Sequence, residues 1–132
     1  MKNNGLRGCG TALVTPFRDG QVDYEAFAAL VDSQIAADVD FLVPLGTTGE
    51  TPCLTDEEKI KVLTVAKERS CGKPVVAGVG TNSLEHTIAN IKLLEPHGVD
   101  VFLVVVPYYN KPPQEGMYLY FKAVAESTSK GI

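Results

Sequence analysis

Four continuously apolar runs, each followed by a stretch of helical periodicity, restrict this chain more than any other feature. The runs fall at residues 10–14, 41–44, 75–79 and 101–106. They do not alternate apolar with polar, as a half-exposed strand would. They read as parallel strands covered on both faces. The segments between them carry helix signals. Tyr24, Phe27, Val31 and Ile35 share one face of a first helix. Thr55 with Glu58 three residues on has capping-box spacing and opens a second, running to about Ser70. Ser83 can cap a third, with Leu84, Ile88, Ile91 and Leu94 inward. Pro112 and Pro113 bar a fourth from starting earlier, and Met117, Phe121 and Val124 form its stripe. The order is βαβαβαβα.

Strand starts recur about every thirty residues, and a (β/α)8 barrel of about 250 residues uses about 31 per unit. The 132 residues therefore hold about four units in one α/β domain, residues 1–132. Two architectures fit. One is a (βα)4 half of a TIM barrel, a parallel four-stranded sheet with helices outside. The other is a small doubly wound, flavodoxin-like ligand-binding domain. Periodicity alone fits both.

Composition narrows the function classes. A net charge of −4 without any basic cluster argues against nucleic acid and anionic membrane surfaces as partners. The apolar runs are far too short to span a bilayer. The N-terminal Met1-Lys2-Asn3-Asn4-Gly5 leads into no apolar stretch of signal-peptide type. Cys9, Cys53 and Cys71 are odd in number and lack metal-ligand spacing, as free thiols in a reducing cytoplasm would. No metal and no cofactor is expected.

In parallel α/β folds ligands gather at the C-terminal ends of strands, so the loops there carry the chemistry. The first, residues 15–20, is mainly a turn, with Asp19-Gly20 suited to positive φ. The second, Gly46-Thr47-Thr48-Gly49-Glu50, brackets two hydroxyls between glycines. It fits either a small-anion site or a turn whose threonines bond their own backbone. No Gly-Lys-Ser/Thr follows, which excludes a P-loop. The third, Gly78-Val79-Gly80-Thr81-Asn82-Ser83, mimics a dinucleotide fingerprint but lacks its third glycine and the acidic residue for the ribose. A tight turn feeding a Ser-capped helix accounts for it. The fourth places Tyr108 and Tyr109 side by side before Asn110 and Lys111. A phenol there can relay a proton if it has a partner, or pack at an interface. His86 and His97 lie on or beside the third helix, away from strand ends, and receive no role.

Taken together, residues 11–17 (Thr-Ala-Leu-Val-Thr-Pro-Phe), Gly46-Thr47-Thr48-Gly49-Glu50, Gly78-Val79-Gly80-Thr81-Asn82 and Pro107-Tyr108-Tyr109-Asn110-Lys111-Pro112 resemble the dihydrodipicolinate synthase family. The resemblance runs in order over essentially the whole chain. It implies a (β/α)8 barrel that condenses pyruvate with aspartate semialdehyde through a Schiff base in lysine biosynthesis. The double threonine and the Tyr-Tyr-Asn loop favour this family over the sialic-acid lyases, while sugar-acid aldolases with a similar threonine pair stay open. By the resemblance, Thr47 is the threonine of the proton relay and Thr48 binds the pyruvate carboxylate. Tyr109 is the relay tyrosine that a neighbouring subunit inserts into the site, and Tyr108 lies beside it at that interface. The family's lysine-feedback pocket has a histidine and a glutamate where this chain has Asp56 and His86, which argues against feedback by lysine.

The resemblance also implies what these residues do not supply. The family's Schiff-base lysine lies on the sixth strand, a second relay tyrosine follows the fifth, and a substrate-recruiting arginine comes later. Of the nine lysines here, most fall on expected helices, Lys73 starts a strand, and only Lys111 follows a strand end. Residues 130–132 stand where a fifth strand should begin. The expectation is the N-terminal half of such a barrel, catalytically inactive alone, with pyruvate at most a weak ligand. Exposed sheet edges and an open inner face should make it a homo-oligomer.

Overall fold

The computed structural model describes residues 6–132; the reading of Met1–Gly5 lies outside them. The chain forms β1 (Gly10–Ala12), β2 (Phe17–Arg18), β3 (Gln21–Val22), α1 (Tyr24–Ala36), β4 (Phe41–Val43), α2 (Asp56–Arg69), β5 (Val76–Gly78), α3 (Leu84–Leu94), β6 (Val101–Leu103) and α4 (Gln114–Glu126). Short 3-10 turns occupy Thr47–Gly49, Thr51–Cys53 and Glu95–His97.

The four expected strands are all present and parallel. β1 pairs β4, Leu42 of β4 bridges Val75, β5 pairs β6, and Val101 of β6 bridges Gly131. The order β1-β4-β5-β6-Gly131 therefore follows the sequence without reversing. A doubly wound sheet reverses its order at a switch point, so this arrangement is barrel-like and not flavodoxin-like. Helices α1 to α4 pack each against the next and form one outer layer. Gly131 occupies the position where a fifth parallel strand starts.

Side chains alternate across the strands. Leu13, Leu42, Val75, Ala77 and Phe102 are buried toward the helices, where they meet Phe27, Val31, Val62, Leu63, Ala66, Ile91 and Val124. Val14 and Leu103, their neighbours in sequence, are 48% and 46% exposed. The strands are apolar on both faces, and among the described residues only the helix side is fully covered.

Local chemistry explains the helix starts. Asp23 caps α1 by accepting from the Ala26 amide at 3.0 Å. The Thr55–Glu58 capping box is complete: the Glu58 amide donates to the Thr55 hydroxyl at 3.2 Å, and the Thr55 amide to the Glu58 carboxylate at 2.8 Å. Such a cap is worth about 1 kcal/mol. Ser83 accepts from the His86 amide at 3.3 Å, and α4 starts directly after Pro113.

Three details differ from the sequence reading. Residues 17–22 form a β-hairpin, not merely a turn, with Asp19 and Gly20 at φ 52° and 79°; two positive φ values give the turn whose twist matches paired strands. On α3 Thr87 is fully buried together with Ile91 and Leu94, whereas Ile88 is only half-buried. On α4 the stripe also contains Tyr120, which is buried. Both exceptions arise because polar atoms are satisfied inside.

Candidate active site

The C-terminal ends of β4, β5 and β6 surround a cleft of about 500 Å³. Its walls include Leu45, Gly46, Thr47, Thr51, Gly78, Gly80, Leu103, Val105 and Tyr108. The lining is mostly aliphatic, with a few hydroxyls at one end. That is the usual make-up of a small-molecule site.

The threonine end is built by a sharp change of direction after β4. Leu45, buried, takes φ 60°, and Glu50 takes φ 53°. Left-handed backbone is uncommon for such residues. The strained positions are thus Leu45 and Glu50, while Gly46 stays extended at φ −79° and ψ −171°. Thr51 holds the turn by donating to the Leu45 carbonyl at 2.6 Å, with the Gly46 carbonyl at 3.2 Å. Buried Thr15 clamps it from below, donating to the Gly49 carbonyl at 2.8 Å.

Thr47 and Thr48 differ from these two. Both are exposed, and neither side chain makes a hydrogen bond among the described residues. The reading in which the threonines of this loop bond their own backbone does not describe Thr47 and Thr48, although Thr51 behaves in that way. Thr47 lines the cleft; Thr48, next in the same 3-10 turn, is not part of its wall.

The tyrosines separate in the same way. Tyr108 lines the cleft, whereas Tyr109 is 90% exposed at φ 66°. The Asn110 amide donates to the Tyr108 carbonyl at 2.8 Å, closing a three-residue turn with Tyr109 at its apex. Asn82 ties this loop to the one after β5 by donating to the Asn110 side chain at 3.3 Å. Lys111 is exposed at φ 46°, and among the described residues no lysine is part of the cleft wall. Lys73 is engaged at the opposite end of the strands, 2.7 Å from Asp38.

The glycines of the Gly78-Val79-Gly80 run serve close packing. A Cβ on Gly78 would fall 1.9 Å from the Leu45 carbonyl oxygen, and one on Gly80 would fall 2.5 Å from the Val105 amide nitrogen. Neither position could carry a side chain without moving the backbone of a neighbouring strand end.

A model of the Dihydrodipicolinate synthetase family matches residues 5–132. The chain belongs to this family. The 4-hydroxy-tetrahydrodipicolinate synthase of Koribacter versatilis is 52% identical over 130 residues, which cover 96% of this chain and 43% of that protein. Its counterpart in Thermotoga maritima is 46% identical over 128 residues, covering 96% and 44%. The crystal structure of dihydrodipicolinate synthase from Thermotoga maritima superposes with a TM-score of 0.92 over 96% of this chain and 43% of that one. The Aquifex aeolicus enzyme superposes with a TM-score of 0.88 at 42% identity. The chain spans less than half the length of these relatives. Its fold is the (βα)4 half of a TIM barrel.

Within this half-barrel, sequence reasoning missed Thr15, Thr51, Thr87 and Tyr120 as shaping residues. Thr15 and Thr51 were legible only as parts of motifs. Thr87 and Tyr120 stood at positions where helical patterning favoured apolar neighbours.

Proposed function

We propose that this chain supplies the N-terminal half of the active site of a pyruvate-dependent lyase, the dihydrodipicolinate synthase type that condenses pyruvate with aspartate semialdehyde. The observation that carries the reading is the Thr47 hydroxyl, unpartnered among the described residues, in the wall of a cleft to which no described lysine contributes. A hydroxyl is donor and acceptor at once, so Thr47 can pass a proton between two phenols. Thr48, beside it with a free hydroxyl, receives the pyruvate carboxylate. Tyr109, exposed at the tip of its turn, is presented to a neighbouring subunit and completes that subunit's relay, with Tyr108 at the same contact.

Schiff-base chemistry needs an amine that is deprotonated and positioned at the carbonyl. No lysine of the described residues stands at the cleft, so these 132 residues are inactive by themselves and bind pyruvate weakly at most. The lysine comes from barrel units like those that fill the remaining length of the relatives. The open inner face and sheet edges bring a second copy of the chain against the first when no such units are present. The exposed free thiols of Cys9, Cys53 and Cys71 fit a cytoplasmic setting. Among the described residues no helix is long and apolar enough to cross a membrane.

The test is complementation. The chain is refolded with the C-terminal half of the Thermotoga maritima enzyme and assayed for condensation. The expected result is activity that neither half shows alone and that Thr47→Val abolishes. Activity unaffected by Thr47→Val would overturn the assigned role.

A further inference from the structure

Helices α3 and α4 reach into the strand ends with polar side chains that the lyase reading does not use. Tyr120 is 6% exposed and Thr87 is fully buried. The Tyr120 hydroxyl lies 2.8 Å from the Thr81 carbonyl oxygen and 2.8 Å from the Thr87 hydroxyl. The Thr81 amide donates to the Thr87 hydroxyl at 2.9 Å. One proton order satisfies all of these. A carbonyl can only accept, so Tyr120 donates to Thr81, and Thr87 donates to Tyr120 while accepting from the Thr81 amide. The reverse order would give up the 2.8 Å Tyr120 bond to that carbonyl and leave Thr87 only longer acceptors, the same carbonyl at 3.5 Å and the Thr81 hydroxyl at 3.2 Å.

Two further contacts extend the arrangement. Asn90, one turn after Thr87, donates to the Val79 carbonyl at 3.1 Å. The Thr81 hydroxyl donates to the Ser83 carbonyl at 2.8 Å. Residues 79–83 are therefore held from the helix side at Val79 and Thr81, and internally between Thr81 and Ser83. Gly78, Val79 and Gly80 line the cleft, and Asn82 reaches Asn110 in the loop of the two tyrosines.

We propose that Tyr120 is a positioning residue: through Thr81 and Thr87 it fixes the loop after β5, and through the Asn82–Asn110 contact it sets the loop that carries Tyr108 and Tyr109. The phenol ring packs edge-on against Phe121, with centroids 5.2 Å apart, so the ring has a packing role that is separable from the hydroxyl. Docking of α4 is thereby coupled to the shape of the cleft. The functional meaning of this coupling rests on the cleft being the lyase site. The coupling itself is measured without substrate, so either reading can fail while the other stands.

The experiment is amide hydrogen exchange on the chain in whatever assembly it adopts, comparing wild type with Tyr120→Phe, Thr87→Val and Thr87→Ser. Tyr120→Phe keeps the ring and removes one hydroxyl, and should speed exchange of the bonded amides of residues 79–83 (Val79, Thr81, Ser83) and 108–111 (Asn110) about tenfold. Thr87→Val should reproduce the effect and Thr87→Ser should stay near wild type, because the hydroxyl and not the methyl carries it. Amides of α2 around Leu63 and Ala66 should keep their protection. An equal rise across the whole chain would make Tyr120 an ordinary core residue and overturn the proposal. So would unchanged exchange at 79–83, or faster exchange there with 108–111 unaffected.

Discussion

The Leu45 carbonyl oxygen and the Cα of Gly78 approach so closely that a side chain on residue 78 would begin 1.9 Å from that oxygen. The carbonyl carbon of Leu45 and the Cα of Gly46 would lie 2.5 and 2.8 Å from that Cβ. The contact is made by backbone, so no flexible side-chain end can yield. The left-handed Leu45 and its Thr51 clamp share this turn.

Gly78→Ala should therefore push the Leu45–Thr47 turn away from β5 and distort the threonine end of the cleft. Overpacking of this kind costs about 3 kcal/mol. Urea unfolding of the two proteins measures it. A loss below about 0.5 kcal/mol would mean that the strand ends separate freely, contrary to the tight contact described.

Acid should weaken the fold through two carboxylates on α1 and its flanks. Asp23 titrates below its ordinary value of 3.8, chiefly because the Ala26 amide bonds the carboxylate; burial opposes this and the Arg18 guanidinium, 2.7 Å away, adds to it. Asp38 is likewise lowered, first by the hydrogen bond from Lys73 and then by its charge. A native value below the unfolded one means that the unfolded chain takes up protons first. The stability these groups contribute is present above the unfolded value and disappears as pH falls through the native one. The urea midpoint should fall between about pH 5 and pH 2.5, and fall less in the Asp23→Asn, Asp38→Asn double variant. Equal losses in both proteins would assign the acid sensitivity elsewhere.

The fold was legible where one local rule acted alone. Thr55 and Glu58 declared a helix start, and Pro113 delayed another. Four apolar runs gave four parallel strands. Strand order, which separates barrel from doubly wound sheet, depends on which strands meet across space, and periodicity carries no record of that. Thr87 and Tyr120 escaped because a polar residue satisfied inside the core breaks the apolar pattern that identifies inward positions. Glycine freedom was expected at Gly46 and Gly49, yet the left-handed residues are Leu45 and Glu50. Thr51 and Thr15 hold that turn through hydrogen bonds to backbone five or six and 34 residues away. At the candidate site the motifs pointed to loops that line the cleft. The structure then distinguished Thr47 from Thr48, and Tyr108 from Tyr109, by what lines the cleft.

The inner face predicts association. Val14, Leu103, Val105 and Val106 are all more than a third exposed. Covering roughly 400 Å² of such surface is worth on the order of 10 kcal/mol before association costs. Sedimentation at micromolar concentration should show a dimer or larger species, and Leu103→Asp with Val105→Asp should shift it toward monomer. A well-behaved wild-type monomer would contradict the expectation.

The proposed function requires this half of the barrel to hold the threonine end of a lyase site and no activated amine. Borohydride reduction in the presence of pyruvate, read by intact mass and peptide mapping, tests it most directly. No adduct should form on the chain alone. A stoichiometric adduct on a single lysine of these residues would show an amine poised for Schiff-base chemistry and would contradict it.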